Sequence, residues 1–191
     1  STIAISLYTS SNTFILGIFT NNMIVGYYSA GEKIVKAVQG LLGPFTQSVY
    51  PHIIKLASES KESALAFLRK LVKLIVVPTF SVSLALFIFA PQINDIILGG
   101  EFEESIPVIR ILSFLPVIIG LATVYANFFL LAFGYIRTWS RIIIFSSCIS
   151  VFGAMIFVHA LGMGHIGLSI NMLLTELIVL SLSFASYRKL S

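Results

Sequence analysis

Ser29, Lys33, Lys36, Gly40 and Gln47 follow one another at steps of four, three, four and seven. At 3.6 residues per turn these positions share one helix face. Two ammonium groups one turn apart, continued by a glycine and an amide, suit a cavity that attracts an anion. The same lysines also suit a membrane interface, where long side chains stretch toward water. Glu32 stands four residues before Lys36, the spacing at which an acid and a base pair along a helix.

Other polar residues recur inside apolar stretches. Ser113, Gly120 and Asn127 are spaced by seven, with Arg110 one turn from Ser113. They could line a cavity, or Arg110 could pair with Glu103 or Glu104 at a surface. Ser169, Glu176 and Ser183 are also spaced by seven. An acid in the middle of a membrane span must be protonated, paired or facing water, so Glu176 is either a structural acid or a proton or cation coupling group. Thr2, Ser6, Ser10, Thr13, Gly17 and Thr20 form a further stripe that serves either close helix packing or a hydrophilic wall. Ser146, Ser150 and Ala154 read as a packing seam. His52, His159 and His165 have no acid or nucleophile at catalytic spacing, and no histidine pair suits a metal. Cys148 has no partner in the chain, so neither a disulfide nor a cysteine zinc site can form within it.

The elements that carry these residues are membrane helices. Of 191 residues, 57% are hydrophobic and 10% charged, with a mean hydropathy of +0.98. A soluble domain carries about 25% charged residues, so a water-soluble globule and a disordered chain are both excluded. The net charge of +4 is too sparse to form a nucleic-acid stripe, so no nucleic-acid partner is expected. Six crossings of about 20 residues each leave roughly 70 residues for loops. The spans read as 2–19, 29–57, 71–93, 106–133, 140–161 and 167–187, with a link over 23–28 and a polar helical segment over 58–70. Span two is about 43 Å long as a helix, longer than the hydrocarbon core, so it must project or bend. Pro44 supplies a bend, and Pro51 marks the inner end. Continuous apolar runs such as 71–90 exclude a strand-built barrel. The chain opens inside an amphipathic stretch, without an initiator Met or a signal peptide. An upstream portion is therefore expected to be missing.

Charge sets the expected orientation. Lys55, Lys61, Arg69, Lys70, Lys73, Arg137, Arg141, Arg188 and Lys189 fall on one side. These are nine of the 12 basic residues; Lys33, Lys36 and Arg110 fall toward the other side, with Asp95, Glu101, Glu103 and Glu104. Positive loops stay cytoplasmic. Both chain ends are therefore expected in the cytoplasm, as an even span count also requires.

Three stretches carry a family resemblance. Val25-Gly26-Tyr27-Tyr28-Ser29-Ala30-Gly31-Glu32-Lys33-Ile34 is followed by Gln39-Gly40-Leu41-Leu42-Gly43-Pro44-Phe45-Thr46-Gln47-Ser48-Val49-Tyr50-Pro51. Gly162-Met163-Gly164-His165-Ile166-Gly167 then leads to Thr175-Glu176. In this order they resemble the C-terminal half of the O-antigen and polysaccharide flippases, within the multidrug, oligosaccharidyl-lipid and polysaccharide exporter superfamily. The resemblance implies an all-α integral membrane protein of two six-helix lobes, of which residues 1–191 are one. It also implies transport of an undecaprenyl-diphosphate-linked sugar unit across the bacterial inner membrane by alternating access, with no cofactor. Lys33, Lys36, Gln47, Arg110 and Asn127 are the expected substrate-cavity residues, and Glu176 is the candidate coupling group. The partners are the lipid-linked oligosaccharide, the bilayer and the absent N-terminal half, without which the chain should not transport.

Three other functions compete. A cation-coupled drug exporter of the same superfamily wants acids deep in its cavity, and only Glu176 qualifies. A membrane enzyme such as an acyltransferase would need one of the three histidines to act as a base. A purely structural subunit would have little use for buried charge.

Overall fold

The computed structural model describes residues 2–190, with side chains from residue 11 onward. The stripe positions Thr2, Ser6 and Ser10 therefore have side chains outside the described residues. All regular structure among the described residues is helical. The helices are α1 (Thr2–Phe19), α2 (Asn22–Gly40), α3 (Leu42–Glu59), α4 (Lys61–Ile88) and α5 (Ala90–Ile97). A 3₁₀ segment, Gly100–Ser105, leads to α6 (Ile106–Leu112) and α7 (Leu115–Thr123), which continues as a π-helix over Val124–Leu131. α8 (Ile136–Ala154) also ends in a π-helical stretch, Met155–Ala160, before α9 (Gly164–Leu190).

Four stretches are long and apolar enough to cross a membrane: Lys61–Ile88, Gly100–Leu131, Ile136–Ala160 and Gly164–Leu190. These overlap the last four expected spans, and four candidates among the described residues do not establish the expected count of six. α1 is described in full only from residue 11. The α2–α3 pair is divided at Leu41, and α2 carries Glu32, Lys33 and Lys36.

Prolines and caps explain where the helices differ from the expected spans. The stretch 23–28 is helix, not a link, because Asn21 caps α2 and accepts a bond from the Ile24 amide at 2.9 Å. Pro44 lies in the first turn of α3. Its ring would meet the carbonyl one turn back, that of Gly40, and α2 ends there. Pro51 sits inside α3 without ending it, since one proline removes one backbone bond and the helix runs on to Glu59. Ser60 caps α4 through the Ser63 amide, so residues 61–70 of the polar segment fuse with the apolar span after them while Ser58 and Glu59 close α3. That span stops at Ile88, just before Pro91 opens α5. Pro116 similarly splits the fourth span between Leu112 and Leu115. Gly162 and Gly164, with φ of +62° and +50°, turn the chain into α9.

Apolar packing joins α3, α4, α8, α9 and the first π-helix around Ile53, Leu68, Phe128, Phe129, Trp139 and Val179. A second cluster joins α1, α2, α6, α8 and α9 around Leu16, Tyr28, Val108, Leu112, Leu168 and Met172. Small residues let the backbones approach. A Cβ on Gly31 would lie 2.9 Å from Val108 Cγ1, and one on Gly120 would lie 2.8 Å from Ile75 Cγ2.

A polar junction knits three helices. Ser146, Ser150 and Ala154 are all buried, forming the packing seam expected of span five. Asn12 on α1 donates to Ser150 Oγ at 2.9 Å, and Asn171 on α9 donates to the Ser150 carbonyl at 2.9 Å. Gly153, one turn along α8, leaves the space that the Asn171 side chain fills.

Replacing Gly153 by Ala should displace Asn171 and destabilise the protein by about 1–3 kcal/mol, the usual cost of overpacking. Thermal unfolding in detergent measures this. The Gly153→Ala/Asn171→Ala double variant should lose less stability than the two single losses added, because the second substitution removes the atom that the first one strikes.

Candidate substrate groove

Along α2, Tyr28, Glu32 and Lys36 stand one turn apart. Tyr28 is buried at 1% exposure, held where Gly31 presses α2 against α6. Its hydroxyl donates to Glu32 Oε1 at 3.2 Å and lies 3.4 Å from Met172 Sδ on α9. Glu32 Oε1 in turn lies 3.0 Å from Lys36 Nζ. The sequence-predicted pair therefore forms, and it is asymmetric. The Glu32 side chain is 12% exposed and that of Lys36 is 44% exposed.

Lys36 opens onto a groove of about 660 Å³ between α1 and α2, bordered by Thr13, Gly17, Asn22 and Val25. Thr13 and Gly17 belong to the polar stripe of span one, so part of that stripe faces the groove. On its other side α1 presents Asn12 to Ser150. α1 thus packs through Asn12, outside the stripe, and borders the groove through the stripe residues Thr13 and Gly17.

The remaining candidates do not converge on this groove. Lys33 and Arg110 are exposed, on α2 and α6, and neither has an ion-pair partner among the described residues. Gln47 is exposed on α3, beyond the break at Leu41. Asn127 and Glu176 come together instead in a separate cavity of about 220 Å³, with Thr123, Trp139 and Ile143 in its wall. Asn127 belongs to the first π-helix, a distortion that recurs at functional sites.

Apart from Asn127 and Glu176, the residues spaced by seven in spans four and six lie in buried packing faces. Ser113 is fully buried and donates to the Arg110 carbonyl at 2.7 Å. Gly120 packs on Ile75 and Thr79 of α4. Ser169 and Ser183 are fully buried on α9, and Glu176 is 8% exposed. A third hollow, about 260 Å³ and mostly apolar, opens beside the α2–α3 break, where Leu41 and Phe45 face Pro78 and Pro116.

The histidines sit among aromatic rings. His52 meets Phe67 edge-on and His159 stacks on Phe19. His165 lies 3.6 Å from Glu104 and beside Tyr27. That acid is distant in sequence, so residue spacing gave no sign of it. Tyr28, Met172, Asn12 and Asn171 also escaped the sequence reading. The two asparagines carried a usable signal, since an amide within an apolar helix must find a partner in the protein.

Comparison with known proteins agrees with the family resemblance. Residues 1–57 match the family model described as "Polysaccharide biosynthesis protein". The chain is 32% identical over 182 residues to a protein of Escherichia coli (strain K12) named "Putative O-antigen transporter", an alignment covering 95% of this chain and 43% of that protein. It is 28% identical over 176 residues to a protein of the same name from Shigella dysenteriae, covering 92% of this chain and 43% of that one. The chain thus spans less than half the length of these relatives. No solved structure matches it significantly. Multi-pass apolar helices and these relatives together identify a membrane protein similar to the O-antigen transporters, which supports the O-antigen and polysaccharide flippase family.

Proposed function

We propose that residues 1–191 form one six-span lobe of a transporter that moves lipid-linked polysaccharide units across the bacterial inner membrane. The unit is carried on undecaprenyl diphosphate, and the two lobes expose the site alternately to each side. The observation that carries this reading is Lys36, a cation held at the wall of a sizeable groove beside hydroxyl and amide groups. Cationic side chains at a midplane cavity suit a diphosphate. Lys33, one helical turn away and exposed, adds charge to the same stretch of α2. Arg110 and Gln47 are exposed groups available to the other lobe or to the sugar.

A second reading, a cation-coupled exporter, draws on the cavity that joins Asn127 to Glu176. A carboxylate and an amide facing one cavity suit a small cation or a proton. The two readings combine if the cavity supplies the coupling ion and the groove binds the passenger. Transport relatives and the absence of a catalytic arrangement in the sequence make an enzyme the weaker choice.

The charge asymmetry assigns the Lys61 and Lys189 side to the cytoplasm and the Glu101–Glu104 side to the periplasm. In a Cys148→Ser background of the full-length protein, single cysteines replacing Lys61 and Glu103 should react with a membrane-impermeant maleimide from opposite sides. Labelling of both from one side would refute the topology.

Replacing Lys33 by Ala and Lys36 by Gln in the full-length transporter should remove most surface polysaccharide while membrane abundance holds. The Lys36→Gln amide keeps a donor for Glu32, which limits the damage to folding. Surface polysaccharide is read by gel and abundance by immunoblot. Wild-type polysaccharide in this variant would rule out the lysine role.

A further inference from the structure

We propose that Glu32 is a positioning residue, a built-in counter-ion that aims Lys36 at the groove and keeps its grip on a diphosphate weak enough to release. This rests on the reading of the groove as the passenger's site. The argument begins with the unequal burial of the pair. Glu32 is the buried member, fixed by the Tyr28 hydroxyl, and Tyr28 is wedged between α2 and α9 beside Met172. Gly31 sets α2 so close to Val108 that this part of the helix has little room to shift. The acid is therefore the anchored end and the lysine the free one.

An ammonium group has three donors. One is spent on Glu32 at 3.0 Å, and the others remain for the groove, which Lys36 reaches with nearly half its side chain exposed. Without Glu32 the four-carbon stem of Lys36 would roam among rotamers, and ordering it would oppose binding. With Glu32, the ammonium waits in place. The same carboxylate lies just behind it and repels an incoming anion. A carrier needs both effects, because a site that holds its passenger too tightly cannot release it on the far side. An anion that reaches Lys36 shares the ammonium with Glu32, so the acid keeps a partner throughout and is never left buried and alone.

The test uses the purified full-length transporter with two probes, inorganic pyrophosphate and farnesyl diphosphate. Glu32→Gln keeps the size and an acceptor for Tyr28 and Lys36 but removes the charge. It should bind the probes about tenfold more tightly while transport turnover in vesicles falls. A merely structural role would lower abundance or thermal stability without raising affinity. Tightening for both probes supports recognition of the diphosphate itself; tightening for farnesyl diphosphate alone supports the same role for Glu32 with the isoprenoid needed for entry. The charge-swapped Glu32→Lys/Lys36→Glu variant keeps an ion pair but turns a carboxylate to the groove, so it should lose binding. It also serves as the deciding variant should Glu32→Gln fail to fold. Wild-type binding that Glu32→Gln leaves unchanged or weakens overturns the inference alone, as does a swapped variant that still binds. A wild-type protein that binds neither probe overturns the groove reading and the inference with it.

Discussion

A polar side chain inside a membrane protein must find its partner in the protein, because hydrocarbon offers none. That constraint organises this chain more than apolar contact does, since lipid tails are as apolar as leucine. Asn12, Ser150 and Asn171 meet each other and so fix α1, α8 and α9. Glu32 meets Tyr28 and Lys36, and Tyr28 reaches Met172, so α2 is tied to α9 by a chain of polar and soft contacts. Each of these contacts is worth only about 1 kcal/mol. Their effect lies in specifying one register among the many that apolar helices could adopt.

Glycine makes those registers reachable and proline limits how far each helix extends. Gly31, Gly120 and Gly153 stand where a neighbouring side chain occupies the space of a missing Cβ. Pro44, Pro91 and Pro116 stand just after breaks that divide long apolar stretches into shorter rods. Pro51 and Pro78 lie inside unbroken helices. Proline alone thus does not decide where a helix ends. At Pro44 the break coincides with Gly40 one turn earlier, a glycine that gains little from helical conformation.

The all-helical class and the presence of long apolar stretches were legible in the sequence because such runs have few alternatives in a membrane. The Glu32–Lys36 pair was legible because spacing along one helix determines who can meet. The seam at Ser146, Ser150 and Ala154 was legible for the same reason. Contacts between helices were not. Sevenfold spacing put Ser113, Gly120 and Asn127 on one face, but it could not tell a cavity wall from a packing face. The structure buries the first two against neighbours and leaves the third beside Glu176. The meeting of His165 with Glu104 depends on how α9 sits beside the 3₁₀ segment, which no local pattern records. The start of α2 was misread because the cap at Asn21 overruled composition over 23–28.

The groove and the Asn127–Glu176 cavity are separate spaces, the first walled by α1 and α2 and the second bordered by α9, which α2 touches at Tyr28. Met172 and Glu176 stand one turn apart on α9. Met172 takes the far end of the contact chain that begins at Lys36, passes Glu32 and crosses to α9 at Tyr28. Glu176 borders the cavity. A sideways shift of α2 against α9 would part Tyr28 from Met172 and disturb the hold on Glu32, while a shift of α9 would alter the cavity at Glu176. Packed helices move as rigid rods with few discrete arrangements, and this contact is where a movement of α2 would meet α9. For a transporter of the proposed kind, that is the arrangement required. In the proposed mechanism Lys36 on α2 meets the passenger's charge and Glu176 on α9 holds the coupling ion or proton, with the buried Tyr28 between them.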